Sequence, residues 1–229
     1  MFNSIKKFVL RDLILEIKDI RSLELLKNVH SEYLPWTGAS IHPTALLYLL
    51  NDITIHQRRN IVECGSGIST IYIAGLIKSL DADIKFQSID HDENWLSILR
   101  EHLKNNDLQD LVDLIHAPLS NCKHCMDKTY EWYDLEILDQ RITAEPIDLL
   151  FIDGPPAKER ECDYSRYPAL SYFSSKLADN RVVLLDDSCR KGELETAKTW
   201  EKEFGLKFKQ EILKGDILIS ESGDKYNVL

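Results

Sequence analysis

A glycine-rich turn at residues 60–70 constrains the fold of this 229-residue chain more than any other feature. An apolar, strand-like run ends in the acid Glu63, and Gly65 and Gly67 then open a helical pattern. Glycine lets the backbone turn sharply and approach a ligand closely, and the first turn of a helix leaves backbone N–H groups without partners. The pattern is typical of a nucleotide-type pocket at the carboxyl end of a parallel strand, although an isolated Gly-x-Gly also occurs in ordinary tight turns.

The residues around this turn match neither of the common phosphate-binding signatures. A dinucleotide fingerprint needs a small residue three positions after Gly67, where this chain has Thr70, and no Gly-Lys-Ser/Thr of a P-loop follows. The next apolar run, residues 84–89, ends in Asp90, and an acid there suits the two hydroxyls of a ribose. A ribose site without a phosphate site points to S-adenosylmethionine, which carries a sulfonium and no phosphate.

Apolar runs and helical patterns alternate along the rest of the chain. The predicted strands are about 60–64, 84–90, 111–116, 147–152 and 181–186, and the predicted helices include 70–80, 95–104 and 191–204. This alternation indicates a parallel sheet covered on both faces. Near the end, Lys214-Gly215 between two apolar runs predicts a hairpin. The predicted fold is a Rossmann-like, doubly wound α/β sheet of about seven strands, mostly parallel, with a C-terminal antiparallel hairpin.

The N-terminal residues form a separate pattern. Apolar positions at helical spacing in residues 4–30 predict one or two amphipathic helices, which would either pack on the core or form the surface of a homo-oligomer. The break at residues 35–38 divides the chain into a helical extension, 1–35, and a main domain, 36–229. Pro43 in a first-turn position, with Ser40 or His42 as its cap, predicts a helix before the first strand.

Four segments in the correct order resemble the motifs of class I S-adenosylmethionine-dependent methyltransferases, over roughly residues 36–222. They are residues 63–70, the strand ending in Asp90, residues 147–156 and residues 182–188. The resemblance implies that the chain binds S-adenosylmethionine, with His91, Trp95 or the Ala117 turn flanking the adenine. The cofactor-binding residues that it implies are Glu63, Gly65, Ser66, Gly67, Thr70, Asp90, His91, Trp95, Ala117 and Asp153.

Asp153, Asp186 and Asp187 form a second predicted cluster, because the strands before them end at the same edge of the sheet. Adjacent carboxylates repel unless they are protonated, paired or bound to a cation, and oxygen ligands of this kind suit magnesium. The pattern resembles cation-dependent O-methyltransferases of the catechol and caffeoyl-coenzyme A type. That resemblance implies Mg²⁺ held by these three acids, with Asp153 and Asp187 as catalytic residues that act on an acceptor hydroxyl.

The sequence departs from that pattern in two places. The pair is Asp186-Asp187 instead of Asp-Asn, and Pro156 stands where the resemblance would place a lysine base, with Lys158 following. The alternative is that the acids cap helices and bind the cofactor's ammonium or the acceptor hydroxyls directly. Nearby arginines, Arg166 and Arg190, would either clamp an anionic acceptor or pair with acids such as Glu193.

These features predict a methyltransferase that uses S-adenosylmethionine to O-methylate a hydroxylated small molecule or sugar. The alternative is a methyltransferase-like module that binds without turnover. A nicotinamide dehydrogenase is disfavoured by Thr70 and by the terminal hairpin. The net charge of −10 argues against a long nucleic-acid partner. The sequence contains no run of eighteen apolar residues, so we expect no membrane span.

The cysteines indicate reduced thiols. Five cysteines at irregular spacing do not form a disulfide framework, so a cytoplasmic location is expected. The segment Cys122-Lys-His-Cys125 resembles half a zinc knuckle but lacks a second pair. The aromatic residues Tyr130, Trp132 and Tyr133 would form either a lid over the site or part of the core. His102, on the apolar stripe of its helix, is interpreted as a core-edge residue.

Overall fold

The computed structural model describes residues 2–122, 131–157 and 163–223. Cys125 and Tyr130, which carry two of the sequence-based hypotheses, and Lys158 lie outside the described residues. The α-helices are α1 (Phe2–Leu26), α2 (Pro43–Ile55), α3 (Ile68–Leu80), α4 (Glu93–Asn105), α5 (Leu135–Arg141), α6 (Pro168–Phe173) and α7 (Lys191–Phe204). The strands are β1 (Asn60–Cys64), β2 (Lys85–Asp90), β3 (Asp113–His116), β4 (Leu119–Asn121), β5 (Glu131–Tyr133), β6 (Ile147–Ile152), β7 (Leu177–Leu185), β8 (Lys209–Glu211) and β9 (Ile217–Ser222).

Seven of these strands form one sheet in the order β3-β2-β1-β6-β7-β9-β8. The first five of that order run parallel, whereas β9 pairs antiparallel with both β7 and β8. The chain moves outward from β1 to β3 and then returns to the other side of β1 with β6. A crevice forms at such a switch point, outside the carboxyl ends of the strands, and ligands bind there in open α/β sheets.

The sheet separates two hydrophobic clusters. Ile61 of β1 belongs to the cluster under α2, α3 and α4, whereas Val62 and Cys64 of the same strand belong to the cluster under α6 and α7. Every residue of β1 is buried, as expected for a central parallel strand covered on both faces. The predicted doubly wound sheet with its C-terminal hairpin is therefore confirmed.

Three details differ from the sequence-based prediction. Residues 109–111 form a 3₁₀ turn, so the third strand begins at Asp113, and β7 begins at Leu177 instead of residue 181. The insertion before β6 contains the two-stranded sheet β4-β5, which the sequence did not predict. Trp132 and Tyr133 on β5 are buried, which favours the core interpretation of these aromatic residues.

The N-terminal helix α1 contacts the region of α2 through polar side chains and through Leu26, which is buried in the core, and its opposite face is apolar and exposed. Asp19 accepts a hydrogen bond from the backbone N–H of Thr44 (2.9 Å) and lies 2.8 Å from Nδ1 of His42, while Ser22 contacts the Thr44 hydroxyl at 3.2 Å. The opposite face exposes large apolar side chains at Val9, Leu10, Leu13, Ile17 and Ile20. Among the described residues, no helix combines the length and apolar character that crossing a bilayer requires.

Candidate functional site

The loops after β1 and β6 touch each other through glycine. Gly65 has φ +94°, and a Cβ at this position would lie 2.8 Å from the carbonyl oxygen of Asp153. A Cβ on Gly154 would lie 2.7 Å from the Cα of Gly65. Only glycine permits this backbone conformation and this approach without strain. The contact joins the predicted cofactor loop to the acidic cluster.

A buried carboxyl group holds the cofactor loop from below. Glu63 is fully buried, and its Oε2 accepts hydrogen bonds from the hydroxyls of Thr70 and Ser88, both at 2.5 Å. The Thr70 hydroxyl in turn accepts the backbone N–H of Gly67 at 2.8 Å. Burial raises the pKa of Glu63 to about 7. Sequence reasoning assigned Glu63 and Thr70 to cofactor contact, but both lie beneath the loop and fix its shape.

Ala117, a third predicted contact, also lies away from the pocket. Its side chain is fully buried, and its backbone N–H donates to the carbonyl oxygen of Asp90 at 2.8 Å. This residue therefore fixes the end of β2 from the neighbouring strand. The sequence pattern places a turn there but does not say which way the alanine points.

Asp90 lies at the end of β2 and lines the pocket. Its Oδ2 accepts the backbone N–H of Ser66 (3.0 Å), and its Oδ1 accepts the backbone N–H of Asp92 (2.9 Å). The Trp95 indole N–H donates to the carbonyl oxygen of Ser66 at 2.8 Å. Nδ1 of His91 lies 3.2 Å from Oδ1 of Asp90, and this carboxylate raises the pKa of the imidazole. These contacts fix the orientation of the Asp90 carboxylate.

One pocket, with a volume of about 380 Å³, brings together seven of the ten predicted cofactor residues. The seven are Gly65, Ser66, Gly67, Asp90, His91, Trp95 and Asp153. A wall that the sequence analysis did not assign comes from the segment between α1 and α2, at Pro35, Thr37 and residues 39–41. The break in helical pattern at Pro35 indicated a loop, but nothing in the sequence places that loop over the glycine-rich turn.

Tyr133 adds a polar group to the floor of this pocket. The side chain is 1% exposed, and its hydroxyl has no hydrogen-bond partner among the described residues. Burial raises the pKa of Tyr133, so the hydroxyl keeps its proton. A buried donor without a partner is costly, and one that lines a pocket can be satisfied by a ligand.

The acidic cluster contains two arginines in addition to the predicted acids. Carboxylate oxygens of Asp153, Asp186 and Asp187 lie within 4.8 Å of one another. Nη2 of Arg166 lies 3.0 Å from both Asp153 Oδ1 and Asp187 Oδ2, and Nη2 of Arg190 lies 2.7 Å from Asp187 Oδ1. The predicted arginine–acid pairing is therefore present.

The remaining donors of Arg166 face carbonyl oxygens and a fourth acid. Its Nη1 contacts the carbonyl oxygen of Asp186 at 3.3 Å and lies 3.7 Å from Oε1 of Glu193, and its Nε contacts the carbonyl oxygen of Pro155 at 3.5 Å. The guanidinium lies between Asp153 and Asp187, where a shared Mg²⁺ would bind with its own near-ideal octahedral shell. The residues present therefore do not fit a resident divalent cation.

Burial raises the pKa of three acids in this cluster. Desolvation raises the pKa of Asp153 and of Glu193 to about 7 in each case, although Arg166 opposes the shift. Burial and the neighbouring carboxylates raise the pKa of Asp186 well above its usual range. Asp187 has φ +62°, a left-handed conformation that aspartate tolerates better than most residues. Asp187 is less buried and lines the pocket.

The architecture is Rossmann-like, and its pocket lies beside an acidic cluster at the carboxyl ends of the strands. A sequence profile described as a methyltransferase domain matches residues 62–188, which is more than half of the chain. The chain therefore belongs to this methyltransferase family, and the prediction of a class I S-adenosylmethionine-dependent methyltransferase is confirmed. Among curated protein sequences, none matches the chain significantly.

Solved structures share the fold at low sequence identity. A Staphylococcus aureus protein inferred to be a caffeoyl-CoA O-methyltransferase superposes with a TM-score of 0.60 at 14% identity, covering 97% of this chain and all of its own. The S-adenosylhomocysteine-bound methyltransferase PaMTH1 of Podospora anserina gives 0.60 at 11% identity, with coverages of 90% and 88%. A Bacillus cereus O-methyltransferase in complex with S-adenosylhomocysteine gives 0.52 at 16% identity, covering 90% of each chain.

Substituting the two glycines of the turn should separate folding from ligand binding. A Cβ on Gly67 meets no atom within 4 Å, so Gly67→Ala should cost less than about 1 kcal/mol of stability and still obstruct a ligand in the pocket. Gly65→Ala should lower the free energy of unfolding by about 1–3 kcal/mol, because the positive φ at this position strains any residue other than glycine. Urea unfolding and S-adenosylhomocysteine titration measure the two effects. Full cofactor affinity in a folded Gly67→Ala variant would contradict this geometry.

Glu63 should make stability depend on pH. Because its pKa is raised in the folded state, its contribution is complete below the unfolded pKa and is lost as pH rises through about 7. Glu63→Gln removes this titration. Between pH 5 and pH 8, the variant should gain up to roughly 3 kcal/mol relative to wild type. Unfolding curves at both pH values test this, and a difference that does not change with pH would be inconsistent with a buried, titrating Glu63.

Proposed function

We propose that this protein transfers the methyl group of S-adenosylmethionine to a hydroxyl of a small molecule or sugar. One observation carries the proposal: a single pocket is lined both by the Gly65–Gly67 turn with Asp90 and by the acids Asp153 and Asp187. The first set suits a nucleoside, and the second suits a hydroxyl that must lose a proton. Structural relatives that carry S-adenosylhomocysteine support the choice of cofactor.

The cofactor would bind across the carboxyl ends of β1 and β2. Each Asp90 oxygen accepts one backbone N–H, and a carboxylate oxygen has a further lone pair for a ribose hydroxyl. Ser66 and Gly67 lie where helix α3 begins, so their backbone can approach the ligand. His91 and Trp95 border the same end of the pocket and would contact the adenine.

The reaction is an in-line displacement in which the enzyme mainly positions the acceptor behind the methyl carbon. An acceptor oxygen forms the new O–C bond, the C–S bond breaks, and its electron pair neutralises the sulfonium. The acceptor's proton passes to a carboxylate. The protein supplies binding, orientation and electrostatics to a cofactor that is already activated.

Asp153 is the better base of the two predicted catalytic acids. Its pKa near 7 suits proton transfer near neutral pH, and it lines the pocket. Both carboxylate oxygens of Asp187 contact arginines, so Asp187 would orient the acceptor hydroxyl. Arg166 would replace a divalent cation by holding both carboxylates in place, and no step requires a metal.

A panel of catechols, phenols and sugars, with release of S-adenosylhomocysteine as the signal, tests the activity. Turnover of at least one hydroxyl acceptor should be the same with Mg²⁺ as with EDTA. Asp153→Asn should lower kcat/KM by roughly a hundredfold or more while S-adenosylhomocysteine still binds. Binding without any turnover across the panel would favour the non-catalytic module, and turnover abolished by EDTA would contradict the role of Arg166.

The buried hydroxyl of Tyr133 would donate a hydrogen bond to the bound cofactor. Tyr133→Phe should weaken S-adenosylhomocysteine binding by about 0.5–1.5 kcal/mol, as expected for one hydrogen bond. Stability without ligand should be unchanged or higher, because the variant removes an unpaired buried donor. Calorimetric titration and urea unfolding measure both quantities, with Tyr172→Phe as a control because its hydroxyl bonds Asp139 outside the pocket. Equal affinity in Tyr133→Phe and wild type would exclude this contact.

The exposed face of α1 would bind a second copy of the chain. Leu10, Leu13, Ile17 and Ile20 follow the alternating three- and four-residue spacing of a coiled-coil seam. The oppositely charged Glu16 and Arg21 flank this seam, as partner-pairing charges do. Both points favour self-association over an unrelated partner. The net charge of −10 argues against a nucleic-acid partner, and the cytoplasm is the expected location.

Light scattering after size exclusion tests this interface. Wild type should be a dimer, and Leu13→Glu/Ile17→Glu should be a folded monomer, because two charges at the seam oppose association. Lys27→Ser, on the same segment but outside the seam, should remain dimeric. A monomeric wild type at micromolar concentration would show that this face is not a self-association surface.

A further inference from the structure

Two histidines and a glutamate meet outside the cofactor pocket, on the segment after α1 and on α4. One ligand atom each from His30, Glu32 and His102 lies within 4.8 Å of the others. The rings of His30 and His102 are 5.3 Å apart between centroids. His30 and Glu32 precede the pocket wall at Pro35, whereas His102 lies near the C-terminal end of α4.

His30 is the unusual member of this group. It is 7% exposed, and its Nε2 is buried without a hydrogen-bond partner among the described residues. An imidazole nitrogen in that position is costly unless a ligand satisfies it. Imidazole nitrogens are common metal ligands.

A fourth polar group completes the cluster. Nδ2 of Asn106 lies 3.1 Å from Oε2 of Glu32 and 3.4 Å from Nε2 of His102. The amide therefore already bridges two of the three candidate ligands. Rotation of this amide would present its oxygen instead of its nitrogen, since both groups of an asparagine can serve in hydrogen bonding or coordination.

We propose that His30, Glu32 and His102 form a zinc-class metal site that fastens the segment after α1 to α4. Two imidazoles and a carboxylate are an established donor set for Zn²⁺, with a fourth position left for water or the Asn106 oxygen. Mg²⁺ and Ca²⁺ prefer oxygen ligands and would bind poorly. The site lies outside the acceptor chemistry, so it stands whether or not the proposed methyl transfer is correct.

Metal binding to the full chain tests the site without any activity assay. Metal-free protein carrying Cys122→Ser/Cys125→Ser, which removes the Cys-x-x-Cys pair, is titrated with Co²⁺ and observed by its visible absorbance. Thermal unfolding is measured with Zn²⁺ and with Mg²⁺. We expect one Co²⁺ per chain and, at a hundred times the dissociation constant, a rise in Tm of about 5–10 °C with Zn²⁺. Mg²⁺ should have no effect.

Four single substitutions test whether these three residues are the ones that bind the metal. Glu32→Gln changes an exposed side chain, so it should fold normally and weaken Co²⁺ binding by at least about tenfold. His102→Gln should abolish the tetrahedral absorbance, with circular dichroism as the check on folding. His116→Gln, a histidine on β3 outside the group, and Glu24→Gln, an exposed acid on α1, are the matched controls and should bind as wild type. Absence of Co²⁺ binding, or binding unchanged in both Glu32→Gln and His102→Gln, would overturn the site.

Discussion

The contact between Gly65 and the loop Asp153-Gly154 is the constraint on which the rest of the site depends. It brings the carboxyl ends of β1 and β6 into van der Waals contact at the switch point of the sheet. The glycine-rich turn and Asp153, which both line the pocket, thereby follow adjacent strands. Any residue larger than glycine at position 65 would separate the two loops.

Buried polar groups then fix each end of the pocket. Glu63 holds the glycine-rich turn through hydrogen bonds that its Oε2 accepts from Thr70 and Ser88 in a low-dielectric interior. Arg166 does the same for Asp153 and Asp187 on the other side. Removing one partner of such a network leaves an uncompensated buried group, so each network specifies one arrangement. In the second network, the partly exposed carboxylate of Asp187 lines the pocket and is available to a ligand.

Those features of the site that depend on local sequence patterns could be predicted from the sequence. Gly65 and Asp90 follow strand-like runs, and parallel strands bring their carboxyl ends to one edge, so their meeting could be anticipated. The direction in which each acid points could not be predicted from the sequence. An acid at a strand end can point into the pocket, as Asp90 does, or lie beneath it, as Glu63 does. Arg166 reaches the acids from a separate loop, and His30 meets His102 across 72 positions. Such contacts depend on tertiary packing, which leaves no periodic signal.

Calorimetric titration of the wild-type protein with S-adenosylhomocysteine tests the pocket most directly, beside an Asp90→Ala variant and with NAD as the competing ligand class. We expect one S-adenosylhomocysteine site per chain and no NAD binding. Asp90→Ala should lose about 1.5–3 kcal/mol of binding free energy, because the ribose loses hydrogen bonds to a carboxylate acceptor. Absence of S-adenosylhomocysteine binding, or equal affinity in Asp90→Ala, would contradict the assignment of this pocket.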